Sequence, residues 1–505
     1  MYIGMDPPDG FVPWAFASVQ IAGTRLETTT DAYGRFKLSG VPAGRRTLRV
    51  GDGTLQLQHK YDQPASTLVF GSPRPKRSWT VMIYMIADNN LGSGSRSYMA
   101  QDLKEMERAD FDSAEISVLA FVDPLAAWPH AGDSDYLAPP DYMGARVLEI
   151  ARDVSGSTVL MSPVVASPRD ELGAVETNSV DPEVLRSFVN WCKTFYPAYR
   201  YALILWNHGD GIAIHNGPGS GGVQARAIGP DEDGPAGLER RFMDVDQIAH
   251  ALRDLEVDLI GFDACLMGCV EVVYELRRCA EVVVASEQAV PGPGWDYTDA
   301  LGILSPEYDA WQYGVELVES YANAYRDYLQ HYSGPIRVLT CSAVSTGRIE
   351  DLADRVDSLS RALDEALSDP SAVSAVREGL MRALAASTRF GYSHGDPRYQ
   401  FHYYDLAGLC EEVFGGISSS GWGLSPAQRA KIENGAHEVL QWFDAAAAEA
   451  MLYSREIADT GSRPCSGLSV YCAPPDTWSL DNPGYDYGQC EFAQRTRWFE
   501  VMSRL

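Results

Sequence analysis

Two stretches decide how this chain folds: Leu203-Ile204-Leu205-Trp206-Asn207-His208-Gly209-Asp210-Gly211 and Leu259-Ile260-Gly261-Phe262-Asp263-Ala264-Cys265-Leu266-Met267-Gly268. Each begins as a short apolar run and then breaks into polar and small residues. Such runs suit strands buried on both faces. Comparable runs recur at Val81–Ala87, Ile116–Val122, Tyr201–Trp206, Val257–Phe262, Val282–Ala285 and Val338–Val344. Amphipathic stretches separate many of them: Tyr98–Arg108, Pro182–Thr194, Val245–Leu255 and Leu266–Arg277. Strands alternating with helices predict an α/β domain with a largely parallel central sheet. Residues 346–387 and 425–453 read as helical, and Gly467–Cys472 reads as one late strand.

Upstream the texture differs. Residues 1–70 read as a small all-β unit, with alternating runs at Ala17–Ile21, Arg35–Leu38 and Thr47–Val50. Turn-forming stretches separate them: Pro7-Pro8-Asp9-Gly10, Asp31-Ala32-Tyr33-Gly34 and Val41-Pro42-Ala43-Gly44. Residues 28–50 resemble the transthyretin-like β-sandwich known as the carboxypeptidase regulatory-like domain. The expected division is therefore an accessory sandwich at 1–70, a linker at 71–78 and a main domain at 79–505.

Composition narrows the function classes. The 505 residues are 45% hydrophobic and 22% charged, which excludes wholesale disorder. The net charge of −28 argues against nonspecific nucleic-acid binding, which needs a basic surface. It suits a protein that gathers cationic partners, at a rate that falls with added salt. No apolar run is long enough to span a membrane. The first residues lack the basic start and apolar core of a signal peptide, so the chain is either cytoplasmic or has lost its signal. Nine Cys leave at least one thiol unpaired within the chain, and their spacings form no zinc pattern. Cys265 and Cys269, four apart, read as two sulfurs on one helical face.

In open α/β sheets, ligands bind beyond the carboxyl ends of the strands. Two strand ends here carry reactive groups, His208 and Cys265. In one parallel sheet they emerge on the same edge, although they are 57 residues apart. A thiol has a pKa of about 8.5, lowered by a helix N-terminus or an imidazolium. Cys265 is expected to have both, hence a thiolate near neutral pH. The N–H groups of Gly209 and Cys265 could stabilise an oxyanion, and His208 could serve as base and acid. His-Gly-Asp recurs at His394-Gly395-Asp396, but in a polar turn, so it ranks below His208. His215 reads as a loop residue.

The main domain resembles the clostripain family of cysteine peptidases, relatives of caspases, legumain, gingipain and separase. WTVMIYMIADNNL (79–91), YALILWNHGDGI (201–212), IGFDACLMGCVEVVYEL (260–276) and VVASEQAVPGPGWDY (283–297) carry the resemblance; GLSVYC (467–472) matches more loosely. It implies a caspase–hemoglobinase α/β/α sandwich and a Cys–His dyad, with Cys265 as nucleophile and His208 as general base. It also implies cleavage after Arg, sometimes Lys, with Asp263 as the acid reading the P1 side chain. Such a carboxylate can pair bidentately with a guanidinium. The alternative for Asp263 is a cap on the helix that follows. Ser286 and Glu287 are expected pocket walls, or Glu287 a second acid.

The Gly- and Pro-rich segment 215–243 reads as an exposed loop. Family members are often activated by self-cleavage there, which makes Arg226, Arg240 and Arg241 candidate sites; a plain surface loop is the alternative. No cofactor is required on this reading. Calcium would suit Asp231-Glu232-Asp233-Gly234, although the stretch lacks EF-hand spacing and reads better as an acidic turn. The expected partners are proteins or peptides with a basic P1 residue, not nucleic acid. The accessory sandwich points to a secreted or cell-envelope location. Two rival readings stay open: a catalytically silent binding protein on a peptidase fold, and a related peptidase with Asn or Asp at P1.

Overall fold

The computed structural model describes residues 4–5, 18–29, 44–50, 53–59, 74–92, 97–124, 144–166, 168–169, 177–212, 214–215, 224–225, 228–231, 242–332, 336–391, 402–458, 463–473 and 487–505. Nine strands form the central sheet: β1 (Arg77–Ala87), β2 (Ile116–Pro124), β3 (Arg146–Glu149), β4 (Val164–Ala166), β5 (Ala198–Trp206), β6 (Leu259–Asp263), β7 (Val282–Ala285), β8 (Val338–Ser345) and β9 (Leu452–Ala458). Their order is β9-β8-β7-β6-β5-β1-β2-β3-β4. The five middle strands, β7 to β2, are mutually parallel. Two antiparallel strands flank them on each side.

The apolar runs follow from this position. All nine residues of β2 are buried, as are Trp79–Ala87 of β1. Helices cover both faces. On one lie α1 (Tyr98–Arg108), α5 (Tyr297–Gly302) and α6 (Ala310–Ala324); on the other lie α2 (Pro182–Phe195), α3 (Val245–Leu252) and α4 (Val270–Leu276). The starts of α1 and α2 are encoded locally. Ser97 Oγ accepts the Ala100 N–H at 3.2 Å, and Asp181 Oδ1 accepts the Glu183 N–H at 2.9 Å, with Pro182 following. The result is the expected α/β/α sandwich.

Helices Ile349–Leu367, Val373–Ala386, Leu406–Ser420 and Pro426–Ala448 extend the core on the α2–α4 face. The sequence reading has no helix at 406–420. The late strand is real, as Ser469–Tyr471, but it joins a separate three-stranded sheet with Arg389–Phe390 and Tyr403–Asp405. The sequence reading also lacks β3, β4 and β9. β9 (LYSREIA) is half exposed and charged, as befits an edge strand, and so has no apolar run to betray it.

Residues 18–59 hold a four-stranded antiparallel sheet, ordered Glu27–Thr29, Ser18–Ile21, Gly44–Val50, Gly53–His59. The expected strand at Arg35–Leu38 lies outside the described residues. Gly4–Met5 pairs instead with Pro168–Arg169 of the main domain. The stretch read as a linker, 71–78, is ordered at its end. Arg74 pairs with Glu149 at 2.8 Å and stacks on Tyr196, and β1 begins at Arg77.

Alternation along β6 turns Leu259, Gly261 and Asp263 toward the α1/α5/α6 face. At Gly261 an added Cβ would lie 2.8 Å from the Trp295 ring. The missing side chain lets that indole lie on the strand, just before Asp263. Gly261→Ala should therefore destabilise the protein by about 1–3 kcal/mol, read as a lower urea midpoint. An unchanged midpoint would mean that the indole does not pack there.

Candidate active site

Register brings the two motifs together. Trp206 of β5 stands directly opposite Asp263 of β6. His208 and Cys265 lie two residues beyond that pair. Pairing continues past the strands, because the Asn207 N–H donates to Asp263 O at 3.4 Å. A Cβ on Gly209 would sit 2.4 Å from Cys265 O and 2.9 Å from Ala264 Cβ, so only glycine lets the two loops touch. The Gly209 N–H is directed at the Cys265 sulfur.

The His208 loop is held from three sides. Asn89 and Asn207 share a hydrogen bond at 3.2 Å, and both donate to Ile86 O and Pro230 O. Asn207 Oδ1 also accepts the His208 N–H. His208 Nε2 lies 2.9 Å from Asn90 Oδ1. That oxygen can only accept, so Nε2 carries the proton and Nδ1 keeps its lone pair. Beyond the loop, Tyr403 Oη donates to Asp210 O at 2.7 Å and accepts the Ile212 N–H at 2.6 Å. Gly211, at φ +65°, makes room for that hydroxyl.

The Cys265 loop is tied to β7 and the small sheet. Leu266 takes the left-handed conformation at φ 63°, a strained position for leucine. Its N–H donates to Gln288 O, that of Gly268 to Ser286 O, and that of Ser469 to Gly268 O. α4 begins only at Val270, with Cys269 as its N-cap. This corrects three expectations. Cys265 is not at the start of a helix, it does not share a helical face with Cys269, and Asp263 caps no helix.

The surroundings of Cys265 disfavour a resting thiolate. Cys265 is half-buried, and its Sγ accepts the Val290 N–H at 3.2 Å and faces Val290 O at 3.7 Å. Burial pushes the thiol up to about 12; the nearby Asp210 and Asp263 push the same way, and the Val290 and Gly209 N–H groups oppose them. Burial also holds His208 below its ordinary value, with Asp210 opposing. Both shifts favour the uncharged forms at neutral pH, a thiol at Cys265 and a neutral imidazole at His208.

Asp263 is buried. Its Oδ2 accepts the Trp295 N–H and the Tyr297 hydroxyl, both at 3.1 Å. Burial raises its carboxyl to about 7, and the Glu105 charge adds to this. Gly294, at φ +68°, passes so close that a Cβ would lie 2.6 Å from Asp263 Oδ2. Gly294 and Trp295 also border a cavity of about 720 Å³, with Glu105, Asp296, Tyr325 and Tyr328 around it.

The other expected pocket residues lie elsewhere. Ser286 Oγ donates to Gln288 O at 2.8 Å, within the turn after β7. Glu287 is fully buried beside Asp405 and Glu456, a different neighbourhood from that of Asp263. Among the described residues, neither side chain is hydrogen-bonded to Asp263. Asp231 is also buried, its Oδ2 accepting the Ser179 N–H and hydroxyl, so it anchors the chain rather than forming a solvated turn. Glu232-Asp233-Gly234, Arg226, Arg240, Arg241 and His394 lie outside the described residues. Part of the expected loop is a hairpin, with Ile214–His215 paired to Gln224–Ala225. Among the described residues, no three His, Cys, Asp or Glu side chains are grouped to hold a metal. All nine cysteines are free.

Asn89, Asn90, Val290 and Tyr403 escape the sequence reading. The asparagines had a signal: they follow a buried strand as His208 does. Val290 acts through its backbone, and the Tyr403 hydroxyl binds backbone groups of a segment far away in sequence, which leaves no residue pattern to find.

The clostripain family model matches residues 83–420. The chain belongs to the clostripain family. Clostripain from Hathewaya histolytica is 33% identical over 229 residues, 43% of this chain and 40% of that protein. The alignment thus spans less than half of that relative. Two solved structures share the fold: an inactive zymogen C11 protease from Parabacteroides distasonis, and a secreted C11 cysteine protease, iotapain, from Bacteroides thetaiotaomicron. The first is 18% identical with a TM-score of 0.51, covering 85% of this chain and 99% of that one. The second is 14% identical with a TM-score of 0.51, covering 85% and 100%.

Alkylation by iodoacetamide, followed at the Cys265 peptide, tests the resting state. The rate should be low at pH 7 and still rising at pH 10, without a lower plateau. A plateau between pH 6 and 8 that vanishes in His208→Ala would reveal a preformed thiolate–imidazolium pair.

Proposed function

We propose that this protein is a cysteine endopeptidase that cuts after Arg, with Lys as second choice. The observation that carries the proposal is the seating of the His208–Gly209 loop on Cys265, above a buried carboxylate. Membership of the clostripain family supports it, as do the protease names of the related proteins. A silent binding protein would not need a glycine that lets an N–H approach a thiol beside a histidine.

The reaction is acyl transfer. As Sγ attacks the scissile carbonyl carbon, its proton passes to His208 Nδ1, and Asn90 holds the ring through Nε2. The N–H groups of Gly209 and Cys265 receive the developing oxyanion. The C–N bond then breaks, and the imidazolium gives its proton to the leaving amine. Water, deprotonated by His208, attacks the thioester; the carboxylic acid leaves and the thiol reforms. Asp263 binds the P1 guanidinium.

Maturation belongs to the same reading. Cutting at Arg226, Arg240 or Arg241 would free the His208 segment from the Cys265 segment, and the raised thiol suits a latent uncut chain. The sheet at residues 18–59 is then an accessory module, and secretion fits both that module and the relative described as secreted. Among the described residues, no helix is long and apolar enough to cross a membrane.

Peptides differing only at P1 test the specificity, run with and without a calcium chelator. Arg should be preferred, with Asn and Asp not cut; turnover of Asn over Arg refutes the pocket assignment. Asp263→Asn should lower kcat/KM for Arg about 10²–10³-fold, the cost of stranding a buried cation. Pairing needs ionised Asp263, which prevails only above pH 7. For Arg substrates, kcat/KM should therefore fall as pH drops through 7, and this limb should be absent with a citrulline P1. On a denaturing gel, wild type should run as two fragments and Cys265→Ala as one. An intact, fully active wild type would remove the maturation step.

A further inference from the structure

Helix α1 carries three buried charged side chains, Asp102, Lys104 and Glu107, and only one of them stands without an ion pair among the described residues. Lys104 is fully buried and paired with two carboxylates, Glu107 and Asp153. Asp102 is 1% exposed and has no cation among the described residues. Its Oδ2 accepts the Trp206 Nε1–H at 2.7 Å, while its Oδ1 has no hydrogen-bond partner. Buried polar groups are normally satisfied, so an orphaned carboxylate oxygen needs an explanation.

Its location supplies one. Trp206 is the register partner of Asp263, so Asp102 approaches Asp263 from the β5 side. From the β7 side comes α6, seated on Val282, Val284 and Ala343 through Gly314. Near its end stands Tyr321, 2% exposed, whose hydroxyl also lacks a partner. Its ring packs 4.8 Å from that of Tyr325, whose own hydroxyl donates to Gly294 O directly above Asp263. Two orphaned oxygens thus flank one buried acid, one from each neighbouring strand's side. Burial pushes Asp102 well above the usual carboxylate range, and the charges of Asp263, Glu105 and Asp296 add to this. Burial likewise raises Tyr321, with Tyr325, Cys341, Cys265 and Asp263 contributing. Both groups therefore belong to the electrostatic surroundings of the dyad and its acid.

We propose that Asp102 and Tyr321 complete the P1 pocket with Asp263, so that a guanidinium meets three acceptors instead of one. This rests on the reading of the protein as an Arg-cutting peptidase and deepens it. A guanidinium has five N–H donors in a planar fork, and separated acceptors on two sides of Asp263 match that fork. The compact ammonium of Lys cannot reach all three at once. Asp102 and Tyr321 are thus specificity residues that set Arg over Lys, while Asp263 supplies the basic preference itself.

The test uses the full chain and three peptides that differ only in Arg, Lys or citrulline at P1. Asp102→Asn keeps an oxygen for Trp206, and Tyr321→Phe removes only the hydroxyl. Each should lower kcat/KM for Arg about 10- to 100-fold, the range for hydrogen bonds to a charged group. Each should also shrink the Arg/Lys ratio and cost the uncharged citrulline peptide less than it costs the Arg peptide. Unchanged Arg/Lys ratios in both variants, with an active wild type, overturn this proposal alone. Equal losses on all three peptides also overturn it, because they mark a structural role. A wild type that cuts none of the basic peptides overturns the underlying reading and the proposal with it.

Discussion

The parallel pairing of β5 with β6 is the constraint on which the site depends. Parallel neighbours end on the same edge of a sheet, and here Trp206 and Asp263 mark that end in register. Everything reactive is counted from this pair. Two residues on, the segment after β5 offers His208 and that after β6 offers Cys265; the pair itself carries Asp263 and, through the Trp206 indole, Asp102. A slip of one residue would turn Asp263 to the opposite face and separate the loops. Glycines at 209, 211, 261, 268 and 294 keep side chains out of the contacts that hold this register.

The electrostatics suit a site that waits for a cation. Four acids gather near Trp295: Asp102, Asp263, Glu105 and Asp296. Among the described residues, none of them forms an ion pair with Lys or Arg. Burial raises the first two, and mutual repulsion adds to it. The same field discourages a thiolate at Cys265. A bound basic side chain would neutralise the acids and relieve that effect, which links substrate recognition to activation of the thiol within the proposed mechanism. The net charge of −28, read first as evidence against nucleic-acid binding, acquires this local meaning.

Much of the fold was legible because parallel interior strands must be apolar on both faces. The six runs picked from the sequence all became strands; β3 and β4 escaped because they are only four and three residues long, and the edge strand β9 because its exposed, charged residues dilute that signal. The placement of His208, Gly209, Cys265 and Asp263 at neighbouring strand ends was legible because buried apolar strands stop abruptly there. Charge state was not. A thiolate was expected from a helix that in fact starts five residues later, at Val270, and that interval arises from the left-handed turn at Leu266. Ser286 and Glu287 lie at a strand end too, yet among the described residues neither side chain is hydrogen-bonded to Asp263. Asp102 and Tyr321 lie mid-helix and at a helix end, among ordinary amphipathic residues, where only the three-dimensional packing reveals an orphaned oxygen.

The central claim is that Cys265 is the nucleophile of an Arg-reading site assembled on this register. The most direct measurement is labelling with a peptide chloromethyl ketone ending in Arg, located by mass spectrometry of the digested chain. A single adduct on Cys265, lost in His208→Ala and suppressed in Asp263→Asn, is the predicted result. An adduct on Cys465, the other partly exposed thiol, or labelling of Cys265 that ignores the P1 side chain, would contradict it.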